Sequence, residues 1–212
     1  MKYLYKYPHG AFPYDNLVAT NRFRNRNEME YELLDTGIFN EDRYFDVFVE
    51  YAKAGAEDIL VKISAANRGP EAAELHLLPT LWFRNDWSQW IAESNRAASK
   101  PKLRQVEAPA GISALTATHT ILGEFNLYCD GDVPMLFTEN ETNHEKLFEG
   151  VKNESPFVKD GINDFVVNSQ QGKVNSEKQG TKASAHFRLS IGAGQTSVIR
   201  VRLTKKSDEN KG

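Results

Sequence analysis

Residues 43–54 read Arg43-Tyr44-Phe45-Asp46-Val47-Phe48-Val49-Glu50-Tyr51-Ala52-Lys53-Ala54. Phe45, Val47, Val49 and Tyr51 fall on one side of a two-residue repeat, with Tyr44, Asp46, Phe48 and Glu50 on the other. That is the pattern of a β-strand with one face toward a core. Residues 58–66 repeat it, setting Ile59, Val61, Ile63 and Ala65 against Lys62 and Ser64. Asn67-Arg68-Gly69-Pro70-Glu71 then reads as a turn, because Gly accepts positive φ and Pro presets its own. The run from Glu74 to Phe83 reads as the partner strand, with Pro79 marking an edge position or a bulge. Further strands are predicted at Leu115–Leu122, Phe125–Cys129 and Phe165–Asn168. Residues 182–191 and 196–204, flanking Gly192-Ala193-Gly194-Gln195, read as the clearest hairpin. In its second strand Ile199, Val201 and Leu203 share the buried face. Arg200 and Arg202 mark the solvent side, where Val198 is the one apolar residue. Helical periodicity is thin. Asp15 is placed to cap a short helix through Leu17, Val18 and Asn21, and Trp87, Trp90 and Ile91 have i, i+3, i+4 spacing. The stretch from Ser94 to Pro109 reads as a surface loop. The fold class is therefore all-β, a large antiparallel sandwich over residues 1–204, with residues 205–212 a charged linker or tail.

Length and composition agree with this. A chain of 212 residues suits one large all-β domain or two small ones. Its 40% hydrophobic and 26% charged residues exclude disordered, collagen-like and coiled-coil classes. A formal net charge of -3 gives no reason to expect nucleic acid or an anionic membrane as partner. No apolar run approaches the roughly 18 residues of a membrane span. The start, Met1-Lys2-Tyr3-Leu4-Tyr5-Lys6-Tyr7-Pro8, lacks the apolar segment of a signal peptide. The single cysteine, Cys129, excludes an internal disulfide or a cysteine metal cluster and fits a reducing compartment, so a cytoplasmic location is expected.

Two stretches carry candidate chemistry. In Leu81-Trp82-Phe83-Arg84-Asn85-Asp86-Trp87-Ser88-Gln89-Trp90, three indoles lie within nine residues. Sugar rings lay their C–H faces on indoles while planar polar side chains hold the hydroxyls, so Trp87, Trp90, Arg84 and Asn85 suit a carbohydrate surface. The plainer alternative is that Trp82 continues a strand into the core and the other two pack a loop. In Phe137-Thr138-Glu139-Asn140-Glu141-Thr142-Asn143-His144-Glu145, Glu139 and Glu141 share a side if the segment is a strand. They could then pair for glycoside hydrolysis or bind calcium, or simply sit in a solvated loop or helix cap. The five histidines show no metal-binding spacing. His76, His119 and His186 fall in strand patterns, where a His beside a Glu can serve acid–base chemistry and more commonly only packs. No nucleophile elbow, phosphate loop or dinucleotide fingerprint occurs, and no cofactor or metal is expected. Asn140 and Asn153 stand in glycosylation sequons too short to be specific.

Several phrases carry a family resemblance. They are Tyr31-Glu32-Leu33-Leu34-Asp35-Thr36-Gly37, the strand from Asp42 to Lys53, and Asn67-Arg68-Gly69-Pro70. Further along come the runs from Leu77 to Asn85 and from Leu136 to Asn143, then Lys159-Asp160-Gly161-Ile162 and Gly180-Thr181-Lys182-Ala183. Together, from Met1 to about Thr204, they resemble the bacterial glucosidase-like proteins of glycoside hydrolase family 63, the family of processing α-glucosidase I. The resemblance implies an N-terminal super-sandwich of the galactose-mutarotase-like type, followed in the family by an (α/α)6 barrel that carries the catalytic carboxylates. Those carboxylates have no counterpart here, so the chain is expected to be a non-catalytic domain. Its partners would be the C-terminal (α/α)6 barrel and an oligosaccharide whose cleft it borders. Family members carry further residues before the phrase matching Lys2-Tyr3-Leu4-Tyr5, so Met1 is expected to be internal. Under this resemblance Trp87, Trp90, Arg84 and Asn85, with Glu139, Asn140, Glu141 and Asn143, become candidates for the cleft rim or the inter-domain contact. Two other classes remain: a free-standing carbohydrate-binding module with the Trp loop as platform, and a mutarotase-like epimerase using His119 or His186.

Overall fold

The computed structural model describes residues 1–88 and 99–206. The chain is all-β and sandwich-like in class, with antiparallel sheets. It divides into two compact units, Met1–Tyr51 with Val61–Leu75 and Arg188–Ile199, and Ala52–Leu60 with His76–Phe187 and the C-terminal residues from Arg200. Five strands, β2 (Tyr44–Gly55), β3 (Asp58–Asn67), β4 (Ala73–Leu77), β12 (Phe187–Ile191) and β13 (Thr196–Lys205), contribute residues to both.

In the first unit the sheet order is β1 (Lys2–Pro8), β2, β3, β13. The alternation read from residues 43–54 is realised only in the first part of β2, where Phe45 and Val47 are buried and Tyr3 and Tyr5 of β1 lie opposite Val49 and Val47; Tyr51, read on the same face, is 43% exposed. Asp46, on the opposite side of β2, is also buried. Its carboxylate accepts hydrogen bonds from Lys6 Nζ at 2.9 Å and Arg68 Nε at 2.8 Å, which repay its desolvation. Helix α1 (Tyr14–Phe23) forms where the Leu17–Val18 pattern places it, but Asp15 sits in its first turn and Pro13 is the capping residue.

The turn at Asn67 does more than reverse the chain. Its side chain is 1% exposed. Nδ2 donates to Ile191 O at 2.8 Å and to Glu71 O at 2.7 Å, while Oδ1 accepts from Gly69 N at 2.8 Å. The Asn67 backbone N–H donates to Gln195 O at 2.9 Å. Carbonyls on both sides of Gly192–Gln195 are therefore occupied by one residue from elsewhere in the chain. Hence the expected final hairpin does not form. Residues 182–191 split at His186 into β11 (Lys182–Ala185) and β12 (Phe187–Ile191). β12 pairs with β4 (Ala73–Leu77), whereas β13 lies between β3 and β8 (Gly123–Asp130). Residues 74–83 are likewise not the partner of β3, which lies between β2 and β13. They break at Leu78–Pro79, where Pro lacks the N–H a ladder needs, into β4 and β5 (Thr80–Trp82). The faces of β13 are as read: Ile199 and Val201 are buried, Leu203 is half-buried, and Arg200, Arg202 and Val198 are exposed.

In the second unit the order is β13, β8, β7 (Ile112–His119), β6 (Lys102–Val106), β10 (Gln179–Gly180). β7 and β8 form a true hairpin, with Leu115 opposite Leu127 and Ser113 opposite Cys129. β6 lies inside the stretch read as a loop. Its Lys and Arg residues hide a strand in which Leu103 is fully buried. A second sheet orders β5, β11 and β9 (Met135–Thr138) around the buried Phe137, Ala183 and Ala185. Residues 165–168, read as a strand, end helix α3 (Gly161–Asn168). Ile162, Phe165 and Val166 have helical spacing, and a Cβ on Gly161 would lie 2.3 Å from Lys173 O, so only Gly fits the close approach. Residues 207–212 of the expected tail lie outside the described residues.

Asn67→Ala strands the buried Ile191 carbonyl and the buried Gly69 N–H, and removes the bond to Glu71 O. It should cost about 3 kcal/mol in urea unfolding, and a loss under about 1 kcal/mol would show that the arch does not depend on this amide. For Asp46, burial opposes the charge, but the hydrogen bonds and charges of Lys6 and Arg68 prevail and hold its pKa below the ordinary 3.8. The folded value lies below the unfolded one, so its stabilisation is complete above about pH 4 and vanishes as pH falls through the folded value. The urea midpoint should fall more between pH 5 and pH 2 in the parent than in Asp46→Asn. Parallel curves would refute the linkage.

Candidate functional site

Both stretches singled out in the sequence lie in the second unit, and the fold brings them together. The segment after β9 is pinned on each flank. Glu139 N donates to Phe157 O at 2.8 Å, Lys159 N to Glu141 O at 3.0 Å, and Thr181 N to Thr138 O at 3.1 Å. A Cβ on Gly180 would lie 2.3 Å from Thr138 O, so this approach also requires glycine. The segment after β5 is tied to the same place: Phe83 N donates to Thr181 O at 3.0 Å, and Asn140 Nδ2 donates to Phe83 O at 2.8 Å.

At the centre is Glu141, 5% exposed. Its Oε1 accepts the Trp87 indole N–H at 2.7 Å and the Lys100 ammonium at 2.8 Å. Lys100 Nζ also lies 3.0 Å from Glu139 Oε2, which accepts the Thr181 hydroxyl at 2.7 Å. The two carboxylates are thus joined through one ammonium, although Glu139 lies just beyond the end of β9. Burial opposes the charge on Lys100, but the hydrogen bonds and charges of Glu141 and Glu139 outweigh it and raise its pKa above that of an ordinary lysine. The shared ammonium and the indole N–H make this a brace between two loops. Beside it Lys100, Glu139 and Thr181 wall a hollow of about 270 Å³, slightly under the usual range of ligand pockets.

The other expected residues serve this frame or lie apart from it. Trp87 is 9% exposed, and with its ring buried and its N–H engaged it offers no open face to a sugar. Trp82 is the reverse of its plain reading: at the edge of the β5–β11–β9 sheet it is 55% exposed. Arg84 is exposed, and Asn85 Oδ1 accepts from Ser88 N at 3.2 Å to hold the turn. Trp90 lies outside the described residues, as do Gln89 and Ile91. Asn143 caps the short helix α2 (His144–Leu147) by accepting from Lys146 N, and its Nδ2 donates to Asp160. Both sequon asparagines use their amide nitrogens internally, Asn140 on Phe83 O and Asn153 on Asn143 Oδ1. His119 Nδ1 accepts from Ile121 N and Leu122 N and shapes the β7–β8 turn. His186 Nε2 lies 3.1 Å from His76 Nδ1. Burial pushes the Cys129 thiol up to about 12, which leaves it unreactive. Among the described residues no group of three or more His, Cys, Asp or Glu comes together as a metal site, and no helix is long and apolar enough to cross a membrane. Sequence reading missed Lys100. A lone lysine in a Ser-, Ala- and Lys-rich stretch carries no local signal, and only the fold sets it between two carboxylates.

No family model matches the chain. It is similar to an uncharacterized protein of Saccharomyces cerevisiae, YMR196W, with 32% identity over 237 residues. The match takes in 96% of this chain and 21% of the yeast protein, so the chain spans about a fifth of that relative's length. Among solved structures it is similar to a polysaccharide lyase with a TM-score of 0.44 and 12% identity, covering 77% of this chain and 20% of that one. That likeness is too slight to bear on the fold or the site.

Glu141→Gln weakens the ammonium contact and leaves the Trp87 N–H with a poorer acceptor. It should cost about 2 kcal/mol and move the Trp87 signal of fluorotryptophan-labelled protein, whereas Glu139→Gln, at a more exposed carboxylate, should cost less. Equal costs, or an unmoved Trp87 signal, would contradict the brace.

Proposed function

We propose that the chain is a non-catalytic β-sandwich domain of a larger carbohydrate-active hydrolase, similar to the family 63 glucosidases. On this reading it packs on a helical catalytic barrel and borders the oligosaccharide cleft. One observation carries the domain reading. Among the first 43 residues only Pro8 is buried, while Tyr3, Leu4, Tyr5, Tyr14, Val18, Phe23, Met29 and Leu34 are exposed, Phe23 by 87%. Helix α1 buries none of its residues. Apolar side chains left this open over so long a segment suit a surface that another domain covers. The similarity to about a fifth of a much longer yeast protein supports the same view. The carbohydrate part of the reading rests on the phrases shared with family 63.

The exposed Trp82 favours a second reading, a free-standing carbohydrate-binding module with that indole as its platform. The two separate experimentally. As a docking domain, the isolated chain should bind a hydrophobic dye and self-associate, and a Phe23→Ser, Met29→Ser, Leu34→Ser triple variant should do neither while keeping its circular dichroism. A chain that stays monomeric at high concentration and binds no dye defeats the docking reading. Retained glucan binding that Trp82→Ala abolishes would then establish the module.

A further inference from the structure

A cleft of about 820 Å³ opens in the second unit, away from the brace, where β6 runs on past the two-residue strand β10. Its volume falls within the usual range of small-molecule sites. Side chain to backbone hydrogen bonds lock both lips. On one side Ser113 Oγ accepts from Val133 N at 2.8 Å and donates toward Val133 O and Gly131 O, while Asp132 Oδ1 accepts from Gly111 N at 3.2 Å. On the other, Asn175 Oδ1 accepts from Glu177 N at 2.9 Å and Asn175 Nδ2 donates to Gln179 O at 2.9 Å. Between them Lys178 is held at φ +55 with its carbonyl accepting Gln105 N at 3.0 Å. A cleft with fixed walls loses little freedom when it takes a ligand.

The lining indicates what kind of ligand. Arg104 and Lys178 stand among Glu107, Asp132 and Glu177, so neither sign of charge dominates and a free ion is poorly served. Donors and acceptors are interspersed, as hydroxyl groups require, since each gives one hydrogen bond and accepts others. Ile112, Val133 and Pro134 add an apolar strip for C–H faces. Gln105 supplies the decisive detail. It lines the cleft, yet its Oε1 is buried and meets no donor among the described residues. The terminal amide torsion is soft, and turning it outward would place this unsatisfied acceptor on a ligand hydroxyl.

We infer that this cleft is a binding site for a neutral oligosaccharide, with the Gln105 amide as the group that engages a sugar hydroxyl. The sugar class rests on the carbohydrate reading above, but the site belongs to this chain alone and needs no catalytic partner.

The test is a titration of the 15N-labelled chain with maltotetraose and, separately, cellotetraose, followed by amide shifts. One of the two should give saturable shifts at Gln105, Ala108, Ser113 and Val133. Gln105→Leu should weaken binding about tenfold. Lys178→Gly should also weaken it, and this variant is expected to fold because glycine accepts the left-handed backbone at that position. Val198→Ser, on the exposed face of β13, should bind as the parent does. If neither sugar moves the cleft amides, if the shifts centre on Trp82, or if both cleft variants bind like the parent, the inference fails. Should the dye and self-association experiments fail while these shifts appear, only the docking-domain reading is lost. The reverse result would remove only the cleft.

Discussion

The side-chain amide of Asn67 is the constraint on which the course of the chain most depends. A buried amide has two N–H donors and an acceptor oxygen to satisfy, and here both donors go to backbone carbonyls and the oxygen to a backbone N–H. With the Asn67 N–H on Gln195 O as well, Ile191 and Gln195 are held at the two feet of an arch. β12 and β13 consequently enter different sheets, which frees β13 to stand between β3 and β8. An apolar residue at this position would leave the buried Ile191 carbonyl and Gly69 N–H unsatisfied, so the polar residue is the one that specifies the topology.

The brace of Glu141, Lys100, Glu139 and Trp87 follows the same economy in the second unit. Two carboxylates near one another would repel, and a buried one is costly alone. Placing one ammonium between them and an indole N–H on the more buried carboxylate removes both problems and ties together loops that follow β5 and β9. A site built this way is stiff and already satisfied. The Gln105 oxygen in the cleft beside β6 is the opposite case, a buried polar atom with no donor among the described residues.

Much of the fold was legible because alternation reports directly on burial. In residues 45–49, 59–65 and 199–203 the apolar positions of a period-two pattern are buried or half-buried, and the β class follows. Pairing was harder to read. A short glycine-containing loop between two good strands describes a hairpin and an arch equally well, and the deciding group, Asn67, lies more than a hundred residues away. α3 was misread because its apolar run, Phe165-Val166-Val167, is too short to separate period 2 from period 3.6. β6 was hidden by the long polar side chains on its exposed face. In the candidate site, the two-residue spacing of Glu139 and Glu141 did indicate a shared side, and the clustering of Trp87 with polar residues did mark a structured loop. That the indole faces inward to Glu141 while Trp82 faces out could not be read, since indole composition is the same in a core and on a surface.

What the sequence by itself determined is the class of the chain and the chemical types available to it: antiparallel strands, interspersed charges of both signs, and aromatic residues near paired carboxylates. These follow from short-range periodicity and composition, which act through the pleat of a single strand. The tertiary structure decided which strands are neighbours, which indole is buried, and that Lys100 joins Glu139 to Glu141. It also set Gln105 in a cleft with its oxygen unpaired among the described residues. Those outcomes depend on buried polar groups finding partners across long sequence separations, a requirement no local pattern records and only the assembled chain can meet.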